Sequence, residues 1–282
     1  MNEPIRPDVD RWIASLDLPR HERLLRALLA HAAADERIRF VELCCSVARG
    51  AGDELSDLDL GVGVDDDAWP DAVADIGPAL RAMGEPVDVL EHEMAAWAGA
   101  PHRRWFVQFA DGTQLDLVAM PASRREGLAP NSVALYDPDG RLAKPMSPRL
   151  ERATPDEVRE WAFETCVALL NMDKYLRRGS LWEALEQLHA GRTQVWRLWA
   201  VSRGIGYPSF GLTSVLDEPD GGPPSGLDRT VPTLDADALR AAGSALLDVL
   251  REVGPPACDA VGATYPAPLE AFVRRAWHTG DR

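Results

Sequence analysis

Hydrophobic residues fall into two textures along the chain. In the first half, Leu24, Leu25, Leu28 and Leu29 recur at helical spacing and predict a helix over residues 20–36. The apolar run 38–44 and the alternating stretch Leu58-Asp59-Leu60-Gly61-Val62-Gly63-Val64 predict two strands. A helix over 69–83 follows, stopped by Gly84, and then a short strand over 86–90. Strands over 105–109 and 115–118 flank Asp111-Gly112, a strong hairpin signal. After residue 120 the texture changes. Residues 121–153 are rich in Pro, Arg and Gly and read as a linker with one short hairpin near Leu135–Leu142.

Thr154-Pro155-Asp156-Glu157 starts a helix, with Thr as N-cap, Pro in the first turn and Glu in capping-box position. Gly179 ends it, and Ser180 caps a second helix running to about Arg203. Residues 204–232 read as a long loop, 235–253 as a third helix and 267–277 as a fourth. Trp161, Trp182, Trp196 and Trp199 fall on helices and are expected in a bundle core. The fold class is therefore α+β: a mixed β-sheet domain with flanking helices over 1–150, then an all-α bundle over 151–282.

Composition narrows the functions open to such a chain. Its 282 residues are 46% apolar and 27% charged, as in an ordinary globular protein. No apolar run approaches the length of a membrane span, and the first ten residues lack the pattern of a signal peptide. A net charge of −15 repels phosphate backbones, so no nucleic-acid partner is expected, and it favours cationic ones. The four cysteines, Cys44, Cys45, Cys166 and Cys258, show no disulfide framework, which fits the cytoplasm. The six histidines lack zinc-site spacing, and His21-Glu22 has no second histidine four residues from the first. Nothing separates a monomer from a homodimer.

The chemistry concentrates in Cys45-Ser46-Val47-Ala48-Arg49-Gly50 and Ser56-Asp57-Leu58-Asp59-Leu60. Asp57 and Asp59, two apart on a predicted strand, point to one face. Two carboxylates so placed repel unless a cation lies between them, and Mg²⁺ suits their oxygens. The turn before them offers a hydroxyl and backbone N–H groups to phosphate oxygens. A third carboxylate should come from a neighbouring strand. Asp116 is preferred and Asp88 is the alternative, while Glu91 is a second candidate for general base.

With this spacing the sequence resembles the DNA polymerase β-like nucleotidyltransferase superfamily, whose signature is Gly-Ser followed by Asp-x-Asp and a later carboxylate. Among its branches it is most similar to the aminoglycoside (streptomycin) 6-adenylyltransferases, through Asp35-Glu36-Arg37-Ile38-Arg39, Leu115-Asp116-Leu117 and a helical domain carrying Lys174 and the His189–Trp199 segment. The resemblance implies transfer of AMP from ATP to a hydroxyl of a small cationic acceptor such as an aminoglycoside. Asp57, Asp59 and Asp116 would be catalytic and would bind Mg²⁺, and Cys45, Ser46, Arg49 and Lys174 would hold the nucleotide. Cys45 stands where the family has glycine, so a β-carbon occupies a place where phosphates approach the backbone. On that departure rests the alternative reading, a weakened or non-catalytic nucleotide-binding, ligand-binding or antitoxin-like member. Restoring glycine is expected to help nucleotide binding at a small cost in stability.

Overall fold

The computed structural model describes residues 8–97, 100–146, 152–218 and 220–279. The chain divides into two compact units, Met1–Pro148 and Arg149–Arg282. The domain boundary expected at residue 150 falls within 147–151, outside the described residues, as do the first seven residues on which the signal-peptide reading partly rests.

The first unit holds helices α1 (Val9–Ala14) and α2 (Pro19–Ala34), strand β1 (Ile38–Cys44), the one-turn helix α3 (Cys45–Ala48) and strand β2 (Leu58–Val64). Then come α4 (Trp69–Ala82), β3 (Pro86–Trp97), β4 (Ala100–Phe109), β5 (Gln114–Pro121) and β6 (Val133–Tyr136). The strands form one six-stranded sheet in the order β3-β4-β5-β2-β1-β6. β2 and β5 run parallel, and every other neighbouring pair is antiparallel. The apolar positions of the strands alternate because one face is buried: Val41, Leu43, Leu58, Leu60, Val62, Val107, Leu115 and Leu117 pack in one core with Leu24, Leu25 and Leu28 of α2 and Ile76 and Leu80 of α4. The opposite face carries Glu42, Asp59 and Asp116, with a smaller apolar cluster around Phe40 and Met120.

β6 corrects the linker expected over 121–153. Val133, Ala134 and Tyr136 pair with β1 and close one edge of the sheet, and no hairpin forms near Leu135–Leu142. The strand predicted over 86–90 extends to Trp97, and the hairpin strands are longer than the apolar runs that marked them.

The second unit contains α5 (Pro155–Arg177), α6 (Leu181–Ser202), the short α7 (Leu212–Leu216), α8 (Ala236–Val261) and α9 (Ala267–Thr279). The capping box at Thr154 forms in both directions: the Thr154 hydroxyl accepts from the Glu157 N–H, and the Glu157 carboxylate accepts from the Thr154 N–H. Apolar faces of α5, α6, α8 and α9 share one core. Two expectations change here. The third helix does not stop near residue 253 but continues through Pro255 and Pro256, because burial of Val253, Ala257 and Cys258 outweighs the hydrogen bonds that two prolines remove. Trp161 and Trp196 are buried and Trp199 partly so, but Trp182 is 73% exposed. It sits in the first turn of α6, on the face turned away from the core.

Candidate active site

β1 and β2 bring the two sequence motifs together. Cys44, the last residue of β1, pairs with Asp59, the second residue of β2. The chain then turns sharply into α3, and Cys45 takes φ = +61°, in the left-handed region. The L configuration makes that conformation costly, and glycine adopts it freely. A glycine at position 45 would meet this backbone demand without strain. α3 closes at Gly50, φ = +71°, with its N–H bonded to the carbonyl of Val47 at 3.1 Å. The leading amides of α3 have no partners within its single turn. Ser46 is half-buried on this turn, and Arg49 is exposed at its C-cap.

Asp57 lies immediately before β2 and Asp59 within it. In the parallel pairing of β2 with β5, Asp59 stands directly beside Asp116. Asp88 shares that sheet face but lies on the edge strand β3, opposite Gln108. Three strand spacings separate it from β2, about 14 Å. Glu91 is excluded as a base acting on this face. It alternates to the other side of β3, where it pairs with Arg103 at 2.9 Å and lies against Gly77 of α4.

Crowding of acids shapes the electrostatics. Asp59 has its carboxyl pushed up, first by desolvation and then by the charges of Asp57 and Asp116, against relief from the Cys45 thiol and Arg104. The Cys45 thiol donates to Asp59. Desolvation and that carboxylate push the thiol up to about 12, although the side chain is exposed. A thiol so held is not a reactive nucleophile.

Arg104 escaped the sequence reading. From β4 it grips Asp116 with two parallel bonds, Nε to Oδ1 at 2.7 Å and Nη2 to Oδ2. The signal was present. A hairpin closed at Asp111-Gly112 pairs Gln108 with Gln114 and Phe106 with Asp116, which leaves Arg104 diagonal to Asp116 on the same face. No three His, Cys, Asp or Glu side chains among the described residues form a ready-made metal cluster. Asp57 and Asp59 remain as a two-carboxylate set. Lys174 lies in the second unit, on α5, where Nζ donates to Asn171 Oδ1 at 2.8 Å and sits 4.6 Å from the Tyr175 ring centroid.

Residues 19–201 match the family described as streptomycin adenylyltransferase. Among solved structures, the chain is similar to an aminoglycoside 6-adenyltransferase from Bacillus subtilis at 14% identity and TM-score 0.40, over 90% of this chain and 95% of that one. It is also similar to a nucleotidyltransferase-like protein from Exiguobacterium sibiricum 255-15 at 13% identity and TM-score 0.34, over 80% and 73%. No curated protein matches the chain. No helix among the described residues is long and apolar enough to cross a membrane.

Proposed function

The chain belongs to the streptomycin adenylyltransferase family, and from that premise we propose that it transfers a nucleoside monophosphate, AMP from ATP, to a hydroxyl of a small cationic acceptor of the aminoglycoside class with Mg²⁺ as cofactor. The observation that carries this reading is the register of β2 on β5 and β1. It gathers Asp57, Asp59 and Asp116 beside the turn that holds Ser46.

Mg²⁺ is commonly held by one or two carboxylates together with substrate phosphates. Asp57 and Asp59 suit such a site, because a divalent cation relieves the repulsion that raises Asp59. When bound, the ion would supply charge stabilisation at the phosphorus centre. Ser46, the leading amides of α3 and Arg49 are suited to the outer phosphates, where N–H groups and a guanidinium meet anionic oxygens. An acceptor hydroxyl attacks the α-phosphorus, the bond to the bridging oxygen breaks, and pyrophosphate departs. Asp116 faces that hydroxyl's proton. Its two bonds to Arg104 use one acceptor site on each oxygen, and a carboxylate has about four, so it can accept a further hydrogen bond without releasing the arginine. The net charge of −15 draws a polycation to the protein.

The test is pyrophosphate release from ATP and Mg²⁺ with a panel of aminoglycosides, with Asp59→Asn as control. Release that depends on both the acceptor and Asp59 supports the proposal. Tight ATP binding with no release for any acceptor favours the non-catalytic reading, to which the strained Cys45 points.

A further inference from the structure

The loop that delivers Asp57 is clipped to the first turn of α2. Within the loop, Asp53 makes a compact turn: the Leu55 N–H donates to its carboxylate at 2.9 Å and the Ser56 N–H to its carbonyl at 3.1 Å. Leu55 at the tip is 89% exposed, so the loop has little packing of its own. Two side chains of α2 take up its carbonyls. His21, 1% exposed, has Nε2 2.7 Å from the carbonyl oxygen of Ser56, the residue before Asp57. A carbonyl can only accept, so Nε2 carries the proton. Arg20 donates Nη2 to the carbonyl of Glu54 at 2.9 Å and Nη1 to the carbonyl of Asp111, in the turn that leads into β5 and Asp116. One guanidinium thus ties together the approaches to both carboxylate-bearing strands. A buried imidazole spent on a backbone carbonyl 35 residues away, beside the first aspartate, is a costly device for a plain surface loop.

We propose that His21 and Arg20 are positioning residues that hold the 53–57 loop, and through it the Asp57 carboxylate, in register with Asp59 and Asp116. The claim rests on the nucleotidyl-transfer reading of that site. Neither residue is assigned a contact with substrate. They act on Asp57 through the Glu54 and Ser56 carbonyls.

The test compares His21→Phe, which fills the space but has no donor, with His21→Gln, whose amide can return one. Two measurements are made on the full chain: hydrogen exchange at the amides of 54–58, and steady-state pyrophosphate release. His21→Phe should speed exchange in the loop by about tenfold or more. It should also lower kcat by roughly ten- to a hundredfold, the scale for a misplacement of about 1 Å, with KM for the acceptor within about twofold. His21→Gln should recover most of both. Unchanged loop exchange in a folded His21→Phe protein overturns the proposal. So does a kcat loss in both variants that merely follows the folded fraction. If the wild-type chain releases no pyrophosphate, the functional reading fails on its own, and loop exchange still decides whether the clip exists.

Discussion

Replacing Cys45 with glycine should relieve a strain that the sequence only hinted at. An L residue in the left-handed region costs about 1–2 kcal/mol, and Cys45 sits there at φ = +61°. Glycine removes that term but adds about 0.5–1 kcal/mol of chain entropy lost on folding. The backbone balance therefore favours glycine by about 0.5–1 kcal/mol, and the small stability loss expected from entropy alone is more than offset. A second term opposes it. The thiol donates to Asp59, and a hydrogen bond of this kind contributes about 1 kcal/mol. Cysteine and glycine should come out nearly level, and an alanine variant is needed to separate the terms. Cys45→Ala keeps the β-carbon and drops the thiol, so it should be the least stable of the three by about 0.5–1 kcal/mol. That is about 1–4 °C in Tm for a unit of this size. Cys45→Val should fall lower still, because a β-branched residue at positive φ is an outlier. Urea midpoints at constant m-value measure the series, and ATP titration of the same proteins reads the phosphate turn. If glycine proves no more stable than alanine, the left-handed strain is not there and the reasoning from φ fails.

Other expectations follow from the same site and sheet. Asp57→Asn or Asp59→Asn should abolish transfer without unfolding the protein, which circular dichroism and pyrophosphate release check together. Asp59 also has a folded pKa above its ordinary value of 3.8, so its favourable share of stability is present below about pH 3.8 and is lost as pH rises through the folded pKa. Asp59→Asn should therefore be more stable than the wild type at pH 7 and flatten the profile above pH 4 in pH-resolved denaturation. With its thiol pushed up to about 12, Cys45 should alkylate slowly with iodoacetamide at pH 8, and faster in Asp59→Asn. Gly63→Ala should be severely destabilised in a thermal melt, since its β-carbon would lie 2.0 Å from the Phe40 ring. Gly61→Ala should suffer less, because it meets the end of the Glu42 side chain at 2.8 Å.

Those two glycines show what a single sequence can and cannot disclose about the fold. Gly61 and Gly63 sit inside the predicted strand Leu58–Val64, and no reason for glycine there is visible in the sequence. The reason is across the strand: Phe40 and Glu42 of β1 lie over β2, and Glu42 forms a buried pair with Arg125, which follows β5. Local periodicity cannot show a partner 83 residues away. It does show elements whose burial is regular, which is why α2, β1, β2, α4 and the Asp111-Gly112 hairpin were legible. β6 was not, because four residues hold too few alternations to stand out from Pro- and Gly-rich flanks. What makes them a strand is the free edge of β1.

The site divides in the same way. Asp57, Asp59 and Ser46 could be named because their chemistry is written within one short stretch, where spacing alone fixes which side chains share a face. Asp116 could be named only with an alternative, since choosing it over Asp88 needs the strand order, and the order β3-β4-β5-β2 puts one beside Asp59 and the other at the edge. The supporting residues were least visible. Arg104 reads as one more cation on an exposed strand until the hairpin register sets it diagonal to Asp116. His21 reads as an ordinary helix residue until the loop before Asp57 folds back onto α2. A carboxylate cluster announces itself by residue type. The groups that hold it act through backbone carbonyls and diagonal ion pairs, which any sequence can supply and only the tertiary fold selects. Candidate reacting groups can therefore be legible while the groups that would support them are not, and variants at Arg104 and His21 will report on competence more sharply than further substitutions of the aspartates.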